Sequence, residues 1–193
     1  MKKISLAAMI ALAALSFQAC NQAPKDTKDA ADSVNAVKDT TTNGSTGIAV
    51  DENDAKFATG IANAGMTEVA LGKIAAEKGV NAQVKEYGAM MATDHSKANE
   101  ELMAIAKTKN ITLPASPDEE HQKEITEISG KSGAEFDKAY VDAMVDGHKK
   151  VADMLEDGSK NCKDTDLMAF ATKTLPVVKA HLAKIEAIQK SMK

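Results

Sequence analysis

Glu68, His95, His148 and His181 are the residues whose types and spacing can do chemistry. Each is the single polar position in an otherwise apolar helical stripe. A carboxylate and three imidazoles make a ligand set for one divalent transition metal, Zn, Fe, Mn or Cu. The alternative is a buried Glu68–histidine hydrogen-bond network that fixes helix register and binds nothing. Of the other chemistry-bearing residues, His121 falls in a charged first turn and reads as solvated. Cys162 lies between helices with no CxxC partner and reads as a passive surface thiol. The methionines, including Met66, Met91 and Met144, read as core filler rather than copper ligands. No nucleophile elbow, phosphate-cradling glycine loop or zinc-protease motif is present, so the residues name no catalytic group.

Four long amphipathic helices must position the layer. Phe57, Ile61, Ala64, Glu68, Leu71 and Ala75 recur every three or four residues over about Asp51 to Lys78. Val84, Gly88, Met91, His95, Ala98, Leu102 and Ile105 do so in a second helix that Asn81 caps and that runs to about Lys109. Phe136, Tyr140, Met144, His148, Val151 and Leu155 mark a third, and Leu167, Ala171, Thr174, Val178, His181, Ile185 and Ile188 a fourth, with Pro176 inside it. Between the second and third, Pro114 and Pro117 interrupt the chain, and Ser116 with Glu119 reads as a capping box for a short helix ending near Gly130. Each polar residue falls near the middle of its helix. At about 1.5 Å rise per residue, alternating helix directions bring all four within roughly two turns. The expected fold is all-α: a four-helix up-and-down, ferritin-like bundle with a short extra helix in the crossover. A ferritin-type di-iron site needs a Glu three residues before a histidine on two helices; here those places hold Ala92 and Val178. Gly60, Gly65 and Gly72 mark close approaches of a neighbouring helix, and Asp94 and Glu100 are expected to face sideways or outward.

Composition agrees with a helical domain. Hydrophobic residues are 44% of 193, but aromatics only 3% and Trp is absent, so small and aliphatic side chains must fill the core. The net charge is −4 and every basic side chain is Lys, which excludes the positive field and Arg forks of a nucleic-acid binder.

The chain opens "MKKISLAAMIALAALSFQAC", a basic start and a short apolar run of the kind that directs export. Cys20 resembles the lipid-attachment cysteine of bacterial lipoproteins, although Phe17 stands where Leu is commonest. The expected organisation is a signal peptide over 1–19, the lipid-attachment Cys20 and a flexible polar linker over 20–50, and a helical domain over 51–193. Its expected address is the cell envelope, as an outer-membrane lipoprotein with the domain in the periplasm or at the cell surface.

The segments "GMTEVALGKIAAEKG", "VKEYGAMMATDHSKANEEL", "FDKAYVDAMVDGHKKV" and "FATKTLPVVKAHLAKI" together resemble the bacterial exported and outer-membrane proteins catalogued as domain of unknown function 4142. The resemblance covers about Asp51 to Lys190. It implies a ferritin-like helical bundle and places the family's Glu and three His on Glu68, His95, His148 and His181. It implies no catalytic role. The expectation at this point is a non-catalytic, lipid-anchored envelope protein with a structural or stress-related role. One alternative is a metal-binding or redox protein using the Glu/His layer. The other is a module that binds a protein partner in the envelope. A dry, fully hydrogen-bonded layer favours the first, a cleft reaching the layer the second, and a sizeable exposed apolar patch the third.

Overall fold

The computed structural model describes residues 26–38 and 50–192, and all of its regular structure is helical. The helices are α1 (Thr27–Lys38), α2 (Glu52–Lys78), α3 (Ala82–Thr108), α4 (Glu119–Ser129), α5 (Gly133–Asn161) and α6 (Thr165–Ser191). The expected four-helix bundle with one short crossover helix is therefore corrected: the described residues form six helices. The leader and Cys20 lie outside the described residues. Among those residues, no helix is long and apolar enough to cross a membrane.

Local chemistry sets the helix ends. Asp51 accepts from the Asn53 and Asp54 amides, Asn81 from Gln83, and Asp164 from Asp166 and Leu167, each satisfying amides that have no partner inside the helix. The crossover helix starts later than the capping-box pattern suggests. Asp118, not Ser116, is its cap, accepting from the His121 amide. Two buried carboxylates fasten the tight turns. Asp137 on α5 accepts from the Val80 and Asn81 amides between α2 and α3. Asp54 on α2 accepts from the Lys163 and Asp164 amides between α5 and α6. Each hairpin thus supplies the carboxylate that closes the other's turn.

α2 pairs with α3 and α5 with α6, and the pairs meet through α2 against α5 and α3 against α6. Gly72 and Gly88 set how closely the first pair packs. A Cβ on Gly72 would lie 2.8 Å from the Gly88 carbonyl, and one on Gly88 2.7 Å from the Gly72 carbonyl. The two backbones touch, which only glycine permits there.

The sixth helix is α1, in the segment expected to be a tether. Asn35 explains its docking: its side chain is buried, donates to the Thr112 carbonyl at 2.8 Å and accepts from the Thr112 amide at 2.7 Å. Thr27 donates to the Ser116 carbonyl, and Thr59 on α2 donates to Asp32 at 2.6 Å. Polar side chains at helical spacing hold α1 to the domain, and an apolar-stripe criterion does not detect them.

The core falls into two apolar clusters. One gathers Ala58, Ile61, Leu102, Leu155, Phe170 and Val178. The other gathers Leu71, Tyr87, Met91, Phe136, Tyr140 and Ile185. In each of the four long helices the chain passes from one cluster to the other through one polar residue: Glu68, His95, His148 or His181.

Candidate metal centre

These four residues form the layer between the clusters, one from each of α2, α3, α5 and α6, and all are buried. The imidazole rings gather around a common centre, His148 edge to face with both others and His95 tilted against His181. Centroids are 5.4 Å apart for His95–His148 and His95–His181, and 5.8 Å for His148–His181. One nitrogen of each ring lies within 4.8 Å of one nitrogen of both others, a triad that can hold a single divalent ion. Glu68 stands beside this triad. Its Oε2 is 2.9 Å from His95 Nδ1 and its Oε1 3.2 Å from His148 Nδ1. His95 and Glu68 attract as an ion pair when the ring is protonated, whereas His148 is a close polar neighbour of the carboxylate.

Each ring has one nitrogen engaged from outside the triad. His148 Nδ1 lies 2.9 Å from the Met144 carbonyl. His181 Nε2 lies 3.3 Å from Asp94 Oδ2. His95 Nδ1 faces Glu68. The opposite nitrogens, His95 Nε2 and His181 Nδ1, are buried without any hydrogen-bond partner, and His148 Nε2 has only Tyr87 Oη at 3.4 Å. Leaving buried polar atoms unpaired costs about 1–3 kcal/mol each, so the layer is far from a satisfied hydrogen-bond network.

Electrostatics divide the four residues. Burial works against ionised Glu68, but His95 foremost, with His148 and His181, outweighs it and holds the carboxyl below its ordinary range. Burial pushes His95 down, but the Glu68 carboxylate more than compensates, and its pKa is raised. Burial lowers His148, and the neighbouring His95 adds to it. His181 is driven down to about 4 by burial and by the two other imidazoles. These shifts favour a protonated His95 against an ionised Glu68, and neutral His148 and His181 whose lone pairs can face a metal.

Two partners escape a reading of the stripes. Tyr87 is fully buried, with its hydroxyl donating to the His181 carbonyl at 3.3 Å. It sits three residues after Val84 and four before Met91, so the helical period marks it. Asp94 lies sideways, partly exposed, with its Oδ2 3.3 Å from His181 Nε2. His121 lies outside the layer and is not simply solvated: Asp118 Oδ1 is 2.6 Å from its Nδ1, and Asn63 joins the pair. Both residues line a cleft of about 420 Å³ between α2, α4 and α5 that reaches Glu68. Cys162 is buried, not superficial, and burial beside Asp54 pushes its thiol up to about 12, which removes it as a nucleophile.

Comparison with known proteins agrees with the segments quoted above. The family model described as "Domain of unknown function (DUF4142)" matches residues 38–188. No curated protein and no solved structure matches the chain. With most of its length and all four residues of the polar layer inside the match, the chain belongs to the DUF4142 family.

Proposed function

We propose that this protein binds one divalent transition-metal ion in the bundle core, with His95, His148 and His181 as ligands and Glu68 as the carboxylate that orients and compensates them. The observation that carries the reading is the set of unpartnered nitrogens. Three rings from three helices converge, and each has its outward nitrogen next to a carboxylate or a carbonyl. An acceptor on one nitrogen fixes the tautomer and leaves the other nitrogen's lone pair for a metal, the usual relation of a metal-bound histidine to its supporting shell. On this reading the ligating atoms are Nε2 of His95, Nε2 of His148 and Nδ1 of His181.

The chemistry of the donor set points to Zn, Fe, Mn or Cu in the divalent state. Three neutral nitrogens with a nearby carboxylate suit a borderline ion, and no thiolate is present to select a softer one. Ideal tetrahedral coordination at about 2.0–2.1 Å separates ligand atoms by about 3.4 Å. The three candidate nitrogens lie within 4.8 Å of one another, close enough for one ion to be shared. A bound ion would supply Lewis acidity or, for Fe, Mn or Cu, electron transfer. The protein's residues position the rings, hold a proton on His95 opposite Glu68 when no ion is bound, and keep bulk water away.

A purely structural role predicts a fully satisfied layer, which the orphaned nitrogens do not fit. The export leader and Cys20 extend the proposal to a lipid-tethered protein that holds its metal in the cell envelope. The test is metal content of the protein purified without a metal-affinity tag, with titrations of Zn, Cu, Fe and Mn. One ion per chain, lost in His148→Ala, is the expected result. No ion bound at micromolar concentration overturns the reading.

A further inference from the structure

A layer buried between two apolar clusters can exchange its ion only if some path from solvent reaches it. The cleft between α2, α4 and α5 is that path in outline. It holds about 420 Å³, and Glu68 forms part of its wall. Exposure falls along it: Glu120 and Asp146 are exposed, Glu124 is half-buried, and Glu68 is buried. Glu68 is both a buried group in the cleft wall and the residue in contact with His95 and His148. Its carboxylate is buried against His95, so an ion that reaches it competes with that imidazole for the same oxygens.

The charge of the cleft fits a cation rather than an anion. Asp118, Glu120, Glu124 and Asp146 line it together with Glu68. Against them stand His121, which is paired with Asp118, and two lysines, of which Lys28 is paired with Asp32 at 2.6 Å; the surplus is Glu120, Glu124 and Asp146 against Lys150. A concave surface of one dominant sign, walled by low-dielectric side chains, concentrates counter-ions and accelerates their capture. The α5 wall is also left bare at Gly147, where an added Cβ would meet nothing within 4 Å.

We propose that this acidic cleft is the loading port of the histidine layer: it collects a hydrated divalent cation at Glu120, Glu124 and Asp146 and delivers it to Glu68, the first group of the layer that the ion meets. The inference rests on the metal-binding reading above and adds the route to it.

The experiment is stopped-flow uptake of Co²⁺ or Zn²⁺ by the chelator-stripped, full-length protein. Two variants leave all four layer residues in place. Glu124→Gln with Asp146→Asn removes charge from the cleft, and Gly147→Leu fills it. Field focusing of this kind changes on-rates by about 10–10³-fold, so loading by the charge variant is expected to slow by about tenfold, with its dependence on ionic strength reduced. Gly147→Leu is expected to slow loading and release by the same factor, leaving Kd and the one-ion stoichiometry unchanged. Wild-type loading rates in both variants overturn the port. A Kd that rises in step with slower loading in Gly147→Leu also overturns it, because the substitution has then damaged the layer. A wild-type protein that takes up no ion at all removes the metal-binding reading and the port together, whereas normal wild-type uptake with unaffected variants removes the port alone.

Discussion

Glu68 on α2 and His95 on α3 meet across the core at 2.9 Å, as a carboxylate and an imidazole that each shift the other toward its charged form. Both sit where the two apolar clusters part. The contact joins the two helices that Gly72 and Gly88 bring into backbone contact, so packing and electrostatics at this site are one problem.

The pair gives the first prediction. Glu68→Gln keeps the shape of the side chain but removes its charge. Metal affinity should fall by about 10–100-fold, as is typical when a supporting group is lost, with one ion still bound at saturation. Isothermal titration measures both quantities. Unchanged affinity would mean that Glu68 does not serve the site. Asp94→Asn should weaken binding in the same direction, through His181.

Proton release is the second. Below its raised pKa, His95 carries a proton that an incoming metal must displace, while His148 and His181 are already neutral. Binding should release close to one proton per ion below that pKa and fewer above it, so affinity climbs with pH and then levels. Calorimetry in buffers of different ionisation enthalpy counts the protons. A release near zero at pH 6 would contradict the His95–Glu68 ion pair.

The metal-free protein should lose stability as pH falls from about 6.5 toward 4. His148 and His181 have depressed folded pKa values, His181 down to about 4, so in this window the unfolded chain binds more protons and acid favours unfolding. His95 works the other way: its raised pKa stabilises the fold at low pH, and that contribution is lost as pH rises through the folded value. Below about 6.5 the His95 contribution is already complete and adds no slope, so the two depressed histidines set the direction in this window. Urea midpoints across this range measure it, and His181→Gln should flatten the slope.

Glycine substitutions separate helix contact from helix propensity. Gly88→Ala brings its Cβ to 2.7 Å from the Gly72 carbonyl and 2.8 Å from Ala75 Cβ, forcing α2 and α3 apart. Overpacking of this kind costs about 1–3 kcal/mol, and metal affinity should fall with it because Glu68 and His95 ride on those helices. Gly147→Ala meets nothing and should stabilise by roughly 0.5–1 kcal/mol. Thermal melts of the two variants should move in opposite directions.

Asn35→Ala tests the docking of α1. It removes both hydrogen bonds to Thr112 and leaves that amide and carbonyl without this partner. Residues 27–38 should then exchange amide hydrogens and yield to protease far faster, while α2, α3, α5 and α6 keep their protection. Equal protection in both proteins would show that α1 is held by other contacts.

Much of this protein is legible in its sequence because helical periodicity is a local property. The stripes of α2, α3, α5 and α6, the Gly79 and Asn81 boundary and the odd polar residue in each stripe follow from spacing alone. The close approaches at Gly60, Gly65 and Gly72 follow from the cost of glycine inside a helix. What spacing cannot give is the partner of a polar group. α1 was hidden because its docking uses Asn35, Thr27 and Asp32 rather than an apolar face. Asp118 took the cap from Ser116 because Asn63 on a distant helix holds it there. Cys162 was buried through neighbours tens of residues away. The sequence alone determined that four polar residues break four stripes at similar depth. Only the tertiary structure decided that three imidazoles converge, that Glu68 stands beside them, and that a cleft reaches it. Those are distances between helices, and a periodic pattern along one helix carries no information about them.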